Sequence, residues 1–122
     1  MNAVLKAGVH LTEDRTLPPE HAALLAEARG GIERLVARMK GPADDILFLV
    51  AEADSALGKA IIGLGAPRHP ERRSVVMPLT RDDAIRAAGP LMGPGMSEKL
   101  AAHRGAAVLV MASGSAQLVP LR

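Results

Sequence analysis

The run Ile46-Leu47-Phe48-Leu49-Val50 constrains this chain most, because it is apolar on both of the faces that alternate along an extended segment. Such a strand needs cover on two sides, from packed elements or from a subunit contact, so it predicts a central strand in a layered fold. The apolar run Ala107 to Met111 makes the same demand. At 122 residues there is room for one hydrophobic core and not for two, and the expectation is a single domain over residues 1–122. With few helices to supply the cover, the two runs also predict a homo-oligomer.

Around the central run the hydrophobic period changes repeatedly. Ala3, Leu5, Ala7, Val9 and Leu11 alternate with more polar neighbours, broken only by Val4, and predict one strand with a buried face. Thr16-Leu17-Pro18-Pro19-Glu20 reads as a helix start, since proline is tolerated in the first turn and an acidic residue suits the positive end of the helix dipole. Leu25, Ala28, Ile32, Leu35, Val36 and Met39 follow at helical spacing, to about Lys40, before Gly41-Pro42 ends the helix. Leu25, Ile32 and Leu35 form its inward stripe, with Arg29, Glu33 and Arg34 towards water. The phase survives Gly30-Gly31, although each glycine weakens a helix by about 1 kcal/mol relative to alanine.

Ala60 to Leu64 reads as a strand returning on the central run through Asp54-Ser55-Ala56-Leu57-Gly58, with a short helix over residues 54–64 capped by Asp54 as the alternative. Val75-Val76-Met77 predicts a further strand, which Pro78 places at an edge or at the sheet boundary. Thr80-Arg81-Asp82-Asp83 has capping-box spacing before a short helix closed by Gly89-Pro90, and a second short helix runs from Ser97-Glu98 to His103-Arg104 ahead of Gly105. Ala107 to Met111 and Gln117 to Leu121 flank the turn cluster Ser113-Gly114-Ser115 as a closing hairpin. The sum is an α+β fold: a mixed sheet of about five or six strands with one long and two short helices packed on it, a doubly wound α/β sheet being the alternative.

Composition removes several functions. There is no cysteine, hence no disulfide, thiol nucleophile or thiolate-bound metal. Phe48 is the only aromatic residue, which leaves no platform for stacking single-stranded bases or sugar rings and counts against nucleic acid as a partner. No apolar run approaches the roughly 20 residues of a membrane span, and Met1 to Lys6 lacks the pattern of a secretory signal, so a soluble cytoplasmic protein is expected, with no membrane partner. The net charge of +2 steers it towards no particular partner.

Familiar chemical motifs fail position by position. Gly58-Lys59 has Ala53 where a phosphate loop needs its first glycine and Ala60 where it needs Ser or Thr. Gly63-Leu64-Gly65 has Arg68 at the third glycine position of a dinucleotide loop. Gly95-Met96-Ser97 lacks the second glycine of a nucleophile elbow, and Ser97 and His103 face different sides of a helix. His10, His21, His69 and His103 show no metal-ligand spacing, and Asp44-Asp45 and Asp82-Asp83 read as turn and helix-start residues. Asp54-Ser55-x-Leu57-Gly58 resembles the phosphorylatable serine segment of anti-sigma-factor antagonists over a few common residues, but the rest of the chain departs from that pattern and no family assignment follows. No cofactor and no metal is implied.

One cluster keeps a physical argument. Arg68-His69-Pro70-Glu71-Arg72-Arg73 concentrates guanidinium groups in a proline-bounded loop, where planar paired donors suit carboxylate or phosphate. Arg68, His69, Arg72 and Arg73 are therefore the candidate ligand-binding residues. Gly93-Pro94-Gly95-Met96-Ser97 is a lesser candidate, through backbone N–H groups at a helix start. The expected function is a small non-catalytic module binding a protein partner or a small anionic ligand. The alternatives are an enzyme with a site assembled between subunits from Arg68, His69, Arg72 and Ser97, and a binder of nucleic-acid backbone.

Overall fold

The doubly apolar strand lies where its sequence requires, with a strand on each side and helices over both faces. A computed structural model describes residues 2–5, 9–12, 17–38, 46–91, 95–103, 105–112 and 114–120. In chain order the elements are β1 (Asn2–Leu5), β2 (Val9–Thr12), α1 (Pro19–Arg38), β3 (Ile46–Glu52), α2 (Ala56–Gly63), β4 (Ser74–Thr80), α3 (Arg81–Ala88), α4 (Met96–Ala102), β5 (Ala107–Ala112) and β6 (Ser115–Pro120). A 3₁₀ turn at Gly89–Leu91 follows α3. The main sheet is mixed, in the order β4-β3-β5-β6. β3 runs antiparallel to β4 and parallel to β5, with Leu49 beside both Met77 and Leu109, and β5 runs antiparallel to β6.

Alternate side chains of β3 enter two separate cores. Phe48 and Val50 meet Leu24, Leu25, Ala28 and Ile32 of α1, together with Val108 and Val110 of β5. Leu47, Leu49 and Ala51 meet Leu57 and Ile61 of α2, Ala84 and Ala88 of α3, and Leu100 of α4. The cover that the two apolar runs demand thus comes from this chain's own helices, and those runs no longer argue for a subunit contact.

The α+β class is as expected, and several elements are not. In place of one sheet of five or six strands there is a four-stranded sheet with a separate antiparallel pair, β1 and β2, and the described residues hold four α-helices instead of three. The alternating stretch from Ala3 to Leu11 is that pair, with Ala3 opposite Leu11. Ala60 to Leu64 belongs to α2 rather than to a strand: Leu57 and Ile61 stand one helical turn apart and both are fully buried. Ser55, not Asp54, caps α2, its hydroxyl accepting from the Gly58 N–H at 3.0 Å. Gly58 is required for packing, because a Cβ there would lie 1.9 Å from the Glu52 carbonyl oxygen. α4 begins at Met96, one residue before Ser97, and α1 ends in the description at Arg38, so the stop at Gly41-Pro42 lies outside the described residues.

α1 is anchored near its start and at its middle. Near its start the buried His21 ring places Nε2 2.9 Å from the Ser115 carbonyl oxygen, which requires that nitrogen to carry the donated proton. Midway, Glu27 reaches Ser74 at the start of β4. Leu25 and Ile32 are buried as the helical stripe predicts, whereas Leu35 is only half-buried and Arg29 and Glu33 are partly covered.

Candidate functional site

The end of α2 directs the chain into the candidate loop. Gly65 adopts φ 112°, the left-handed region that glycine enters without a Cβ penalty. Its N–H donates to Ile62 O at 2.9 Å, and the Ala66 N–H donates to Ile61 O at 3.0 Å, a helix-ending arrangement whose apolar residue, Ala66, is buried. This accounts for Gly63-Leu64-Gly65 without any nucleotide. Beyond it, the Arg72 N–H donates to His69 O at 2.9 Å across Pro70 and Glu71, a turn for which the fixed φ of proline is suited. The turn sets His69 and Arg72 next to one another.

Both residues face a groove of about 690 Å³ between α1, this loop and β4. Ala28, Gly31, Arg34, Leu35 and Arg38 form the α1 wall. Gly65 to Pro67, His69, Glu71 and Arg72 form the loop wall, and β4 contributes Ser74 to Pro78. Among the described residues, no hydrogen bond or ion pair engages the guanidinium groups of Arg34, Arg38 or Arg72. Glu71, the only acid lining the groove among the described residues, stands 3.9 Å from the His69 ring.

The other members of the sequence cluster lie elsewhere. Arg68 is directed away from the groove to Asp54 at 3.7 Å, an exposed pair of little energetic value. Arg73 extends the β3–β4 ladder through its carbonyl, which accepts from the Ala53 N–H at 2.7 Å, and its charge acts on Glu27. Ser97 lies on α4, beside Gly89 and on the sheet face opposite α1, so within one chain it does not meet His69 or Arg72. Gly93 and Pro94 fall outside the described residues, and Gly95, at φ 90°, precedes α4 without a side-chain cap. Arg34 and Arg38 were missed as site residues. Their only signal is a spacing of one helical turn, which puts two guanidinium groups on one side of α1.

The groove follows an edge strand whose backbone is partly blocked. Pro78 cannot donate to β3, so its nitrogen must face outwards, and alternation turns the backbone groups of Val76 and Ser74 outwards as well. Ser74 fits this parity, since its N–H donates to Glu27 Oε1 at 2.8 Å. Between Ser74 and Pro78 that leaves the Val76 N–H as the single outward donor.

Among the described residues no group of His, Cys, Asp or Glu could hold a metal ion, and no helix is long and apolar enough to cross a membrane. Comparison with protein-family models, curated proteins and solved structures finds no match to this chain.

Proposed function

We propose that this protein is a small non-catalytic binding module that receives an anionic ligand, free or carried by a protein partner, in the groove between α1 and β4. One observation carries the reading: Arg34, Arg38 and Arg72 border the same concavity without a counter-ion among the described residues, beside His69. Guanidinium groups match oxyanions with paired donors, and a concave wall reduces competition from water. This narrows the expected ligand residues to Arg72 and His69, joined by Arg34 and Arg38, and leaves Arg68 and Arg73 outside. Self-association belongs to the same proposal; its support is the exposure of Leu64 at 54% and Leu91 at 38%.

Titration calorimetry with inorganic phosphate tests the site. Binding should weaken as salt rises, and the double variant Arg34→Ala, Arg72→Ala should lower affinity by roughly tenfold or more, while Arg68→Ala changes it little. Absence of any phosphate-dependent heat in the natural chain would reject the reading.

A further inference from the structure

We infer that the ligand of this groove is an amphipathic organic anion, with its charged head at Arg34, Arg38 and Arg72 and its apolar part lying over Gly31 against Leu35 and Val76. The inference rests on the anion-binding reading and deepens it. Its starting point is a glycine inside α1, where glycine is the least favourable residue after proline.

Close packing does not explain Gly31. A Cβ there would meet its nearest neighbours, an Arg34 guanidinium nitrogen and a Val76 methyl, at 3.8 Å, an ordinary contact. Gly58 is the contrasting case, with the Glu52 carbonyl oxygen 1.9 Å from such an atom. Nor does backbone conformation require it, since no positive φ occurs at residue 31. The helix would gain from a side chain at this position and has room for its Cβ. What the glycine does is keep the α1 wall free of a side chain of its own beside the Arg34 guanidinium and the Val76 methyl.

The size of the groove agrees. At about 690 Å³ it falls among sites that hold small organic molecules, far more than one inorganic phosphate fills. Beside its charged residues, Leu35, Val76 and Pro78 supply apolar surface. The blocked edge of β4 disfavours an added peptide strand, because a strand needs a row of donors and this stretch offers the Val76 N–H alone.

Octyl phosphate, used below its micellar concentration, is the probe, with inorganic phosphate for comparison. The natural chain should bind octyl phosphate at least roughly tenfold more tightly than phosphate, each buried methylene adding to the affinity. Gly31→Leu should stay folded, because leucine favours the helix, and should bring octyl phosphate affinity down to that of inorganic phosphate. Equal affinity of the natural chain for both probes overturns this inference and leaves the anion site standing, whereas binding of neither removes both. Gly31→Leu that stays folded and binds octyl phosphate as before also overturns it. Vesicles separate a soluble ligand from a lipid headgroup: the chain should sediment no more with phosphatidylcholine containing phosphatidic acid than with phosphatidylcholine alone. Selective retention on the acidic vesicles overturns the assignment to a soluble ligand.

Discussion

Glu27 Oε1 accepts two hydrogen bonds from Ser74, one from its backbone N–H and one from its hydroxyl, both at 2.8 Å. A single carboxylate on α1 therefore fixes the start of β4, where Ser74 lines the groove.

The same contact gives the protein a predictable response to acid. The Ser74 hydroxyl, then the Ser74 N–H, hold the Glu27 carboxyl below its ordinary 4.5 against the opposing effect of burial, with Arg73 helping through its N–H and its charge. A carboxyl held low in the folded state contributes stability above its unfolded pKa, and that contribution is lost as pH falls through the folded value. Denaturant midpoints should therefore decline below pH 4.5, and less steeply in Glu27→Gln. Ser74→Ala should cost about 1–3 kcal/mol at neutral pH. An identical acid slope in Glu27→Gln would show that the contact does not carry this dependence.

Burial along α1 separates leucines that the sequence treats alike. Leu25→Ala and Ile32→Ala should each cost about 2–5 kcal/mol, as both side chains are fully buried. Leu35→Ala should cost less, since its side chain is half-open at the groove, and the exposed Arg34→Ala should stay within about 0.5 kcal/mol. Equilibrium unfolding of the four variants checks the order.

Two glycines of α2 should respond in opposite directions. Gly58→Ala forces a methyl against the backbone of Glu52 and should cost about 3 kcal/mol or more, or prevent folding. Gly63→Ala meets nothing within 4 Å and should stabilise by up to about 1 kcal/mol. Thermal melts of both distinguish a helix seated on the end of β3 from one merely close to it.

Pro78 should protect the β4 edge. Pro78→Val restores an outward N–H next to that of Val76 and should raise the concentration-dependent mass seen by light scattering. Equal masses for variant and natural chain at every concentration would show that this edge is closed by other means.

Much of the fold was legible because the strongest patterns come from burial itself. Ile46 to Val50, the stripe through Leu25 and Ile32, and the hairpin about Gly114 all read correctly. The segment from Ala60 to Leu64 misled because Ile61-Ile62 favours a strand locally, while the deciding contacts, Leu57 and Ile61 against β3, are tertiary. The Ala3 to Leu11 stretch carries its alternation across both strands of an antiparallel pair, so its period reads as one strand. At the site, the turn joining His69 to Arg72 was within reach, because a local hydrogen bond across Pro70 makes it. Arg34 and Arg38 were not: only the approach of α1 to β4 turns a solvent-facing helix surface into a groove wall.

The parallel pairing of β3 with β5 has a kinetic consequence. α2, β4, α3 and α4 all lie between these strands along the chain, whereas β5 and β6 are joined by a tight turn about Gly114. Closing so long a loop costs entropy before the contact that offsets it forms, so the hairpin and the helix–strand neighbours can assemble early and the sheet centre must come late. During synthesis β3 leaves the ribosome well before its parallel partner exists. The segment that most needs cover in the finished molecule thus waits for its parallel neighbour, and the speed with which α1 and β4 shield Phe48 and Val50 sets how much of the nascent chain escapes aggregation.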